Sequence, residues 1–113
     1  MSRRETVISS LLEKLPEGES LDEVFSILAH QQRVTALIAL RHARTPERLS
    51  NLARRIAGDS RHSGSEEIEQ IAIQLHHCHL PRLAEAEFVT YDPDRATVEL
   101  TERGRVLAKA VDR

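Results

Sequence analysis

Three histidines and the single cysteine of the chain lie side by side, as His76-His77-Cys78-His79. Imidazole and thiolate groups bind zinc and copper, so this cluster suggests a metal sensor. Neighbouring residues of a helix point about 100° apart, so only His76 and His79 could share one ion. A full ligand set would need a second pair from elsewhere. We therefore predict no metal and no cofactor, with His79 packed on the core, His77 in solvent and Cys78 a small buried apolar side chain.

The residues needed for catalysis do not form a recognisable pattern. The four glycines are isolated, so there is no glycine-rich loop to hold a phosphate. Serine, histidine and aspartate occur, but not in a nucleophile motif. Cys78 beside histidines could be an activated thiolate, yet nothing suggests an oxyanion site next to it. We predict that the protein is not an enzyme.

Charge is distributed unevenly along the chain, although the net charge is only −2. Residues 41–62 carry six arginines and two acids, whereas residues 63–102 carry nine acids and two arginines. A basic segment of this kind favours contact with a phosphate backbone, and the asymmetry would orient the domain in an electric field. The alternative is that both segments are solvated faces without a partner.

Apolar spacing and end signals predict helices along most of the chain. The predicted segments are an amphipathic helix over about 3–15, a helix from Ser20, a central buried helix over about 31–43, a helix from Pro46 to Ala57 with Thr45 as N-cap, and a long helix from Ser65 that Pro81 should kink near 77–80. After this, apolar and polar residues alternate in residues 88–91 and again in residues 96–100. The two stretches are separated by Asp92-Pro93-Asp94-Arg95, and this pattern predicts a β-hairpin. Thr101 should cap a final helix.

This order predicts a mainly α fold with a small β-hairpin, of the winged helix-turn-helix type. Residues 1–19 would form a separate amphipathic helix, and residues 20–113 the winged-helix domain with its C-terminal helix. In this interpretation residues 46–57 are the support helix, residues 74–87 the recognition helix and residues 88–100 the wing.

Several strings resemble known winged-helix sequences. The run from His79 to Val89 is similar to the end of a recognition helix in winged-helix regulators, except that Glu87 stands where glycine is usual, and Leu100-Thr101-Glu102-Arg103-Gly104 is similar to the joint between a wing and a C-terminal helix. Leu21–Phe25, Leu75–Leu83 and Tyr91–Asp94 together resemble a family of haloarchaeal winged-helix domains of uncharacterised function. The resemblance covers about residues 20–100 and implies an archaeal regulator, with no known ligand or operator.

We therefore expect the partner to be double-stranded DNA and the function to be transcriptional regulation. The exposed side of a recognition helix enters the major groove, while the wing and support helix contact phosphates. The residues predicted to read bases are Gln70, Gln74, His77 and Arg82, and those predicted to anchor phosphates are Arg48, Arg54, Arg55 and Arg95. Glu66, Glu67 and Glu69 at the start of the helix would oppose this binding.

A homodimer is expected, because the apolar stripes of the terminal helices need cover. The predicted dimer residues are Val7, Ile8, Leu11, Leu12, Leu15, Val106, Leu107 and Val111. The alternative function is an adaptor of the same fold that binds protein and does not contact DNA directly. No apolar run approaches the roughly 20 residues that span a membrane, and one cysteine cannot form an internal disulfide, so we expect a cytoplasmic protein.

Overall fold

The computed structural model describes residues 21–44, 46–58 and 64–112. Its elements in chain order are α1 (Leu21–Leu28), α2 (Gln31–His42), β1 (Glu47–Arg48), α3 (Leu49–Ala57), α4 (Ser65–Gln74), a π-helical turn (Leu75–His79), α5 (Leu80–Glu85), β2 (Val89–Asp92), β3 (Thr97–Leu100) and α6 (Glu102–Val111). The predicted helix over 3–15, with its five proposed dimer residues, lies outside the described residues, as do Ser20 and Thr45.

The strands form one antiparallel sheet in the order β1-β3-β2. The hairpin of β2 and β3 was predicted, and it pairs Val89 with Leu100 at its base. The fold is thus mainly helical with a small sheet, as expected, and its order of elements is compatible with a winged helix. None of the helices in the described ranges is long and apolar enough to cross a bilayer.

The start of the predicted support helix is wrong. Pro46 was expected to begin it, but Glu47 and Arg48 form β1 and pair with Val98 and Thr97 of β3. The first helical residue is Leu49, whose backbone N–H donates to the Ala96 carbonyl at 2.8 Å. The partners of β1 are distant in sequence, and two residues are too few to show strand alternation. No local pattern therefore distinguishes this strand from a first helical turn.

The core of the described residues is a cluster of mainly aliphatic side chains that also contains Phe88. Helix α2 contacts α1, α3, α6 and β3, which confirms its predicted central place. Full burial of each Leu, Ile or Phe side chain stabilises the fold by about 1.5–3 kcal/mol, before entropy is counted. The largest completely buried members are Val24, Ile27, Leu37, Leu40, Leu52, Leu75, Leu80, Leu83, Phe88, Val98 and Leu107.

The helix from Ser65 to Glu85 is continuous but contains one π-helical turn, Leu75–His79. The Leu80 N–H donates to the Leu75 carbonyl, five residues back. Pro81 follows directly and has no N–H to offer to the preceding turn. A kink was predicted near 77–80, and the structure shows a π-helical turn at this place. The turn accommodates one extra residue and brings Leu80 into the core. Ile73, on α4 before the turn, is by contrast 51 % exposed.

The long helix ends in a left-handed cap at Glu87. The Phe88 N–H donates to the Leu83 carbonyl (2.9 Å) and the Glu87 N–H to the Ala84 carbonyl (3.0 Å), which is a Schellman arrangement. Glu87 has a φ of 66°, in the region that favours glycine. This conformation explains why glycine is usual at this place in the sequences that the chain resembles.

Thr101 and Gly104 join the wing to α6. The Thr101 hydroxyl accepts from the Gly104 N–H (3.0 Å) and donates to the Glu87 carbonyl (2.6 Å), which confirms the predicted N-cap. The Thr101 N–H donates to the Phe88 carbonyl at 3.1 Å. A Cβ atom at Gly104 would lie 1.8 Å from that same Phe88 oxygen. The close approach of two backbones therefore requires glycine here.

Candidate nucleic-acid interface

One side of the long helix presents polar side chains to solvent. Gln70, Gln74 and His77 are all exposed, as predicted, and Ile73 lies among them. Amides and imidazoles can donate to and accept from base edges, and an exposed aliphatic group can contact a thymine methyl. The acids at the N-terminal end, including Glu66 and Glu69, are also exposed. The surface that suits a nucleic acid therefore begins at Gln70 rather than at the helix start.

Gln74 is oriented by a residue that sequence reasoning missed. The Gln32 Nε2 group on α2 donates to Gln74 Oε1 at 2.9 Å. This contact orients the Gln74 amide, whose N–H groups and second oxygen lone pair remain available to a ligand. The two residues are 42 positions apart, so no spacing in the sequence signals the contact.

Arg82 was predicted to read bases together with Gln74 and His77, but its guanidinium is directed towards α1. Its Nη1 atom lies 3.9 Å from Glu23 Oε1, and its side chain is only 30 % exposed. This separation is too long for a strong ion pair, but the limited exposure leaves Arg82 less available to a base than the side chains of Gln74 and His77.

The wing places Arg95 in solvent. Its side chain is 83 % exposed, and its Nε atom is 3.9 Å from Asp92 Oδ2, which is too long for a strong pair. Asp92 instead shapes the turn, because its Oδ1 accepts from the N–H groups of Asp94 (3.1 Å) and Arg95 (3.2 Å). Arg95 can therefore reach a phosphate without breaking a structural contact.

Of the three predicted anchors near the support helix, Arg48 and Arg54 are exposed and make no ion pair within residues 21–44, 46–58 and 64–112. Arg55 differs, because its Nε donates to Glu47 Oε2 at 3.1 Å. The Glu47 side chain is only 8 % exposed, and its Oε1 also accepts from Asn51 Nδ2 and from the Arg48 N–H. Arg55 thus has a structural role, because it pairs with the nearly buried Glu47 carboxylate. No helical spacing signals this contact, because Glu47 lies in β1 and not in α3.

The histidine cluster is divided between different partners. His79 is buried, as predicted, and its Nδ1 accepts from Arg33 Nε at 3.1 Å. The His76 Nδ1 lies 2.6 Å from the Tyr91 hydroxyl. Burial, and then the charge of Asp92, raise the pKa of Tyr91, so that its hydroxyl keeps its proton and can donate to His76.

Cys78 is exposed, so the expectation that it is a buried apolar residue is wrong. The π-helical turn shifts the residues around it relative to an ideal α-helix, and His79 and Leu80 face the core instead. Across the described part of the chain, no group of three potential ligands is arranged to hold a metal ion.

Burial, reinforced by the positive charges of Arg33 and His30, lowers the pKa of His79. The unfolded side chain titrates near 6.5. At a pH between the folded and the unfolded pKa of His79, the unfolded chain binds more protons than the folded protein. We therefore expect stability to fall as the pH drops below about 6.5 and to be level above it. Urea unfolding at several pH values measures this dependence. The unfolding free energy should fall with pH equally in the parent and in His77→Gln, whose histidine is exposed, and should fall less in His79→Gln. Equal slopes in all three proteins would contradict this assignment.

The predicted dimer residues of α6 do not share one environment. Leu107 is buried in the core of its own subunit, whereas Val106 and Val111 are partly exposed. Only the latter two have surface that a second subunit could cover.

Comparison with known proteins identifies a family but no function. Neither a curated protein nor a solved structure matches the chain. The sequence model of one family, described as "Domain of unknown function (DUF7344)", matches residues 25–99. This stretch includes most of the core, the long helix and the hairpin. The chain belongs to the DUF7344 family.

Proposed function

We propose that the protein is a DNA-binding transcriptional regulator that acts as a homodimer in the cytoplasm. The observation that carries this proposal is the exposed polar face of the long helix, with Gln70, Gln74 and His77 on consecutive turns. A helix of this kind fits the major groove, where amide and imidazole groups can read base edges. The Gln74 amide, oriented by Gln32, would donate to adenine N7 and accept from adenine N6.

The anchoring role falls to Arg48, Arg54 and Arg95. Each is exposed, and none is held by a strong ion pair within the described ranges. Arg48 pairs with Thr97 through the backbone, which places it beside the hairpin that carries Arg95. Cations beside a reading helix would supply the salt-dependent part of binding.

Charge reversal tests the anchors directly. Binding to random 20-base-pair duplex DNA is measured by fluorescence anisotropy at several salt concentrations. Arg48→Glu with Arg54→Glu should weaken binding at least tenfold, and should reduce the salt slope by about one unit for each phosphate that is no longer neutralised. The matched control, Arg105→Glu with Lys109→Glu, makes the same change in net charge on α6 and should weaken binding less than threefold.

Two outcomes would contradict the proposal. If both double variants lose affinity equally, the effect is one of net charge and the anchors are wrongly assigned. If the parent protein does not bind duplex DNA even at low salt, the regulator proposal fails.

An adaptor that binds protein is the second candidate, and exposed Ile73 favours it. An aliphatic side chain 51 % exposed in the middle of a polar helical face is suited to a protein contact as well as to a thymine methyl. Selection of bound sequences from a random DNA pool separates the two functions. Enrichment of a short inverted repeat supports the dimeric regulator, and the absence of any enriched sequence supports the adaptor.

A further inference from the structure

A shallow cleft lies where the end of α2 meets α6 and the last residue of β3. Its volume is about 300 Å³, at the lower limit for a site that holds a small organic molecule. It is lined by Leu40, Arg41, Ala43, Leu100, Arg105 and Lys109. None of the residues proposed to contact DNA takes part.

The rim of this cleft is cationic and largely uncompensated. Arg105 and Lys109 are exposed and lie one turn apart on α6, where like charges repel. Neither forms an ion pair with any residue that the structure describes. Arg41 differs, because its Nη1 is 2.6 Å from Asp112 Oδ2. Two positive charges of the cleft are therefore available to an anion, and no carboxylate is among the lining side chains.

The apolar part of the lining is small, because Leu40 and Leu100 are only 1 % and 5 % exposed and Ala43 is partly exposed. An apolar group of a ligand could rest against Ala43 and the aliphatic stems of Arg105 and Lys109 while its charged group meets their cations. A guanidinium binds phosphate or carboxylate oxygens through two parallel hydrogen bonds, and a lysine adds a point charge.

We infer that this cleft binds a small organic anion, a phosphate monoester or a carboxylate attached to an apolar ring, and that Arg105 and Lys109 hold its charged group. The site does not depend on the proposed DNA contact. In a regulator the cleft would bind an effector molecule. In an adaptor it would bind the same class of anion.

Nuclear magnetic resonance of the ¹⁵N-labelled full chain tests the site, with phenyl phosphate, benzoate and uncharged benzamide as probes. We expect saturable shifts of the amide signals of Ala43, Leu100 and Lys109 with the two anions, and none with benzamide. Tighter binding of phenyl phosphate would assign the site to phosphate monoesters, and tighter binding of benzoate would assign it to carboxylates.

Arg105→Gln with Lys109→Gln should weaken binding of the preferred anion at least fivefold, whereas Arg54→Gln, which removes an exposed cation elsewhere, should leave it unchanged. Single Lys109→Gln provides the same comparison if the double variant does not fold. Unchanged affinity in the variants, or shifts that are equal with benzamide, would overturn the inference. Duplex DNA affinity of the double variant should match the parent. A loss of DNA binding in it would mean that the cleft is part of a nucleic-acid surface instead, whereas failure of the parent to bind DNA would leave the anion site standing.

Discussion

Gly104→Ala should lower the thermal midpoint of the protein by roughly 15 °C, corresponding to a loss of about 3 kcal/mol of stability. The new Cβ atom would lie 1.8 Å from the Phe88 carbonyl oxygen and 3.2 Å from Leu100 Cδ2. The oxygen cannot turn away easily, because it accepts from the Thr101 N–H and Phe88 itself is completely buried. Helix α6 would have to separate from the base of the wing to admit one methyl group.

Gly64→Ala is the matched control for this substitution. Gly64 has a φ of −76°, and a Cβ atom there would meet nothing within 4 Å. Its unfolding free energy should stay within about 0.5 kcal/mol of the parent. Circular dichroism melting of the three proteins makes the comparison. If Gly104→Ala melts with the parent, α6 is not packed against Phe88 as described.

Substitution of the adjacent arginines Arg54 and Arg55 should affect stability to very different extents. Arg55→Ala removes the cation that faces the nearly buried Glu47 carboxylate and should cost about 2 kcal/mol. The cost is less than for a fully buried pair, because Arg55 is 48 % exposed and water can enter in its place. Arg54→Ala removes an exposed side chain that makes no ion pair in the described structure, so its effect on unfolding should be below about 0.5 kcal/mol.

Urea titration followed by circular dichroism measures both variants under the same conditions. The neighbouring position supplies the control, since each protein loses one positive charge from the same helix. Equal destabilisation would show that the Glu47 contact contributes nothing to stability, and a larger loss in Arg54→Ala would reverse the two assigned roles.

Local sequence signals were sufficient for most of the described helices, the hairpin and the Thr101 cap, which follows from chemistry within a few residues. They were not sufficient for the start of α3, whose N-cap is Arg48, or for the π-helical turn before Pro81. Strand β1 could not, because its existence depends on Val98 and Thr97, far along the chain.

The candidate surface was predictable in its exposed positions and less so in its partners. Gln70, Gln74 and His77 lie on one side of a helix whose period is visible in the sequence. The partners could not be predicted, because each contact joins residues of different elements. These contacts are Gln32 with Gln74, Glu23 with Arg82 and Glu47 with Arg55. Cys78 was misplaced for a related reason, since a regular helical wheel cannot represent a π-helical turn.

The five-residue turn at Leu75–His79 makes the type of helix a determinant of the direction of everything that follows it. Because the turn absorbs one extra residue, a chain with one residue fewer here could continue as ordinary α-helix and leave the downstream elements in place. If the same number of residues were wound as α-helix instead, the downstream elements would rotate by about 100°. The hairpin follows this helix after a tight cap, so it would be re-aimed relative to Gln70 and Gln74, which precede the turn.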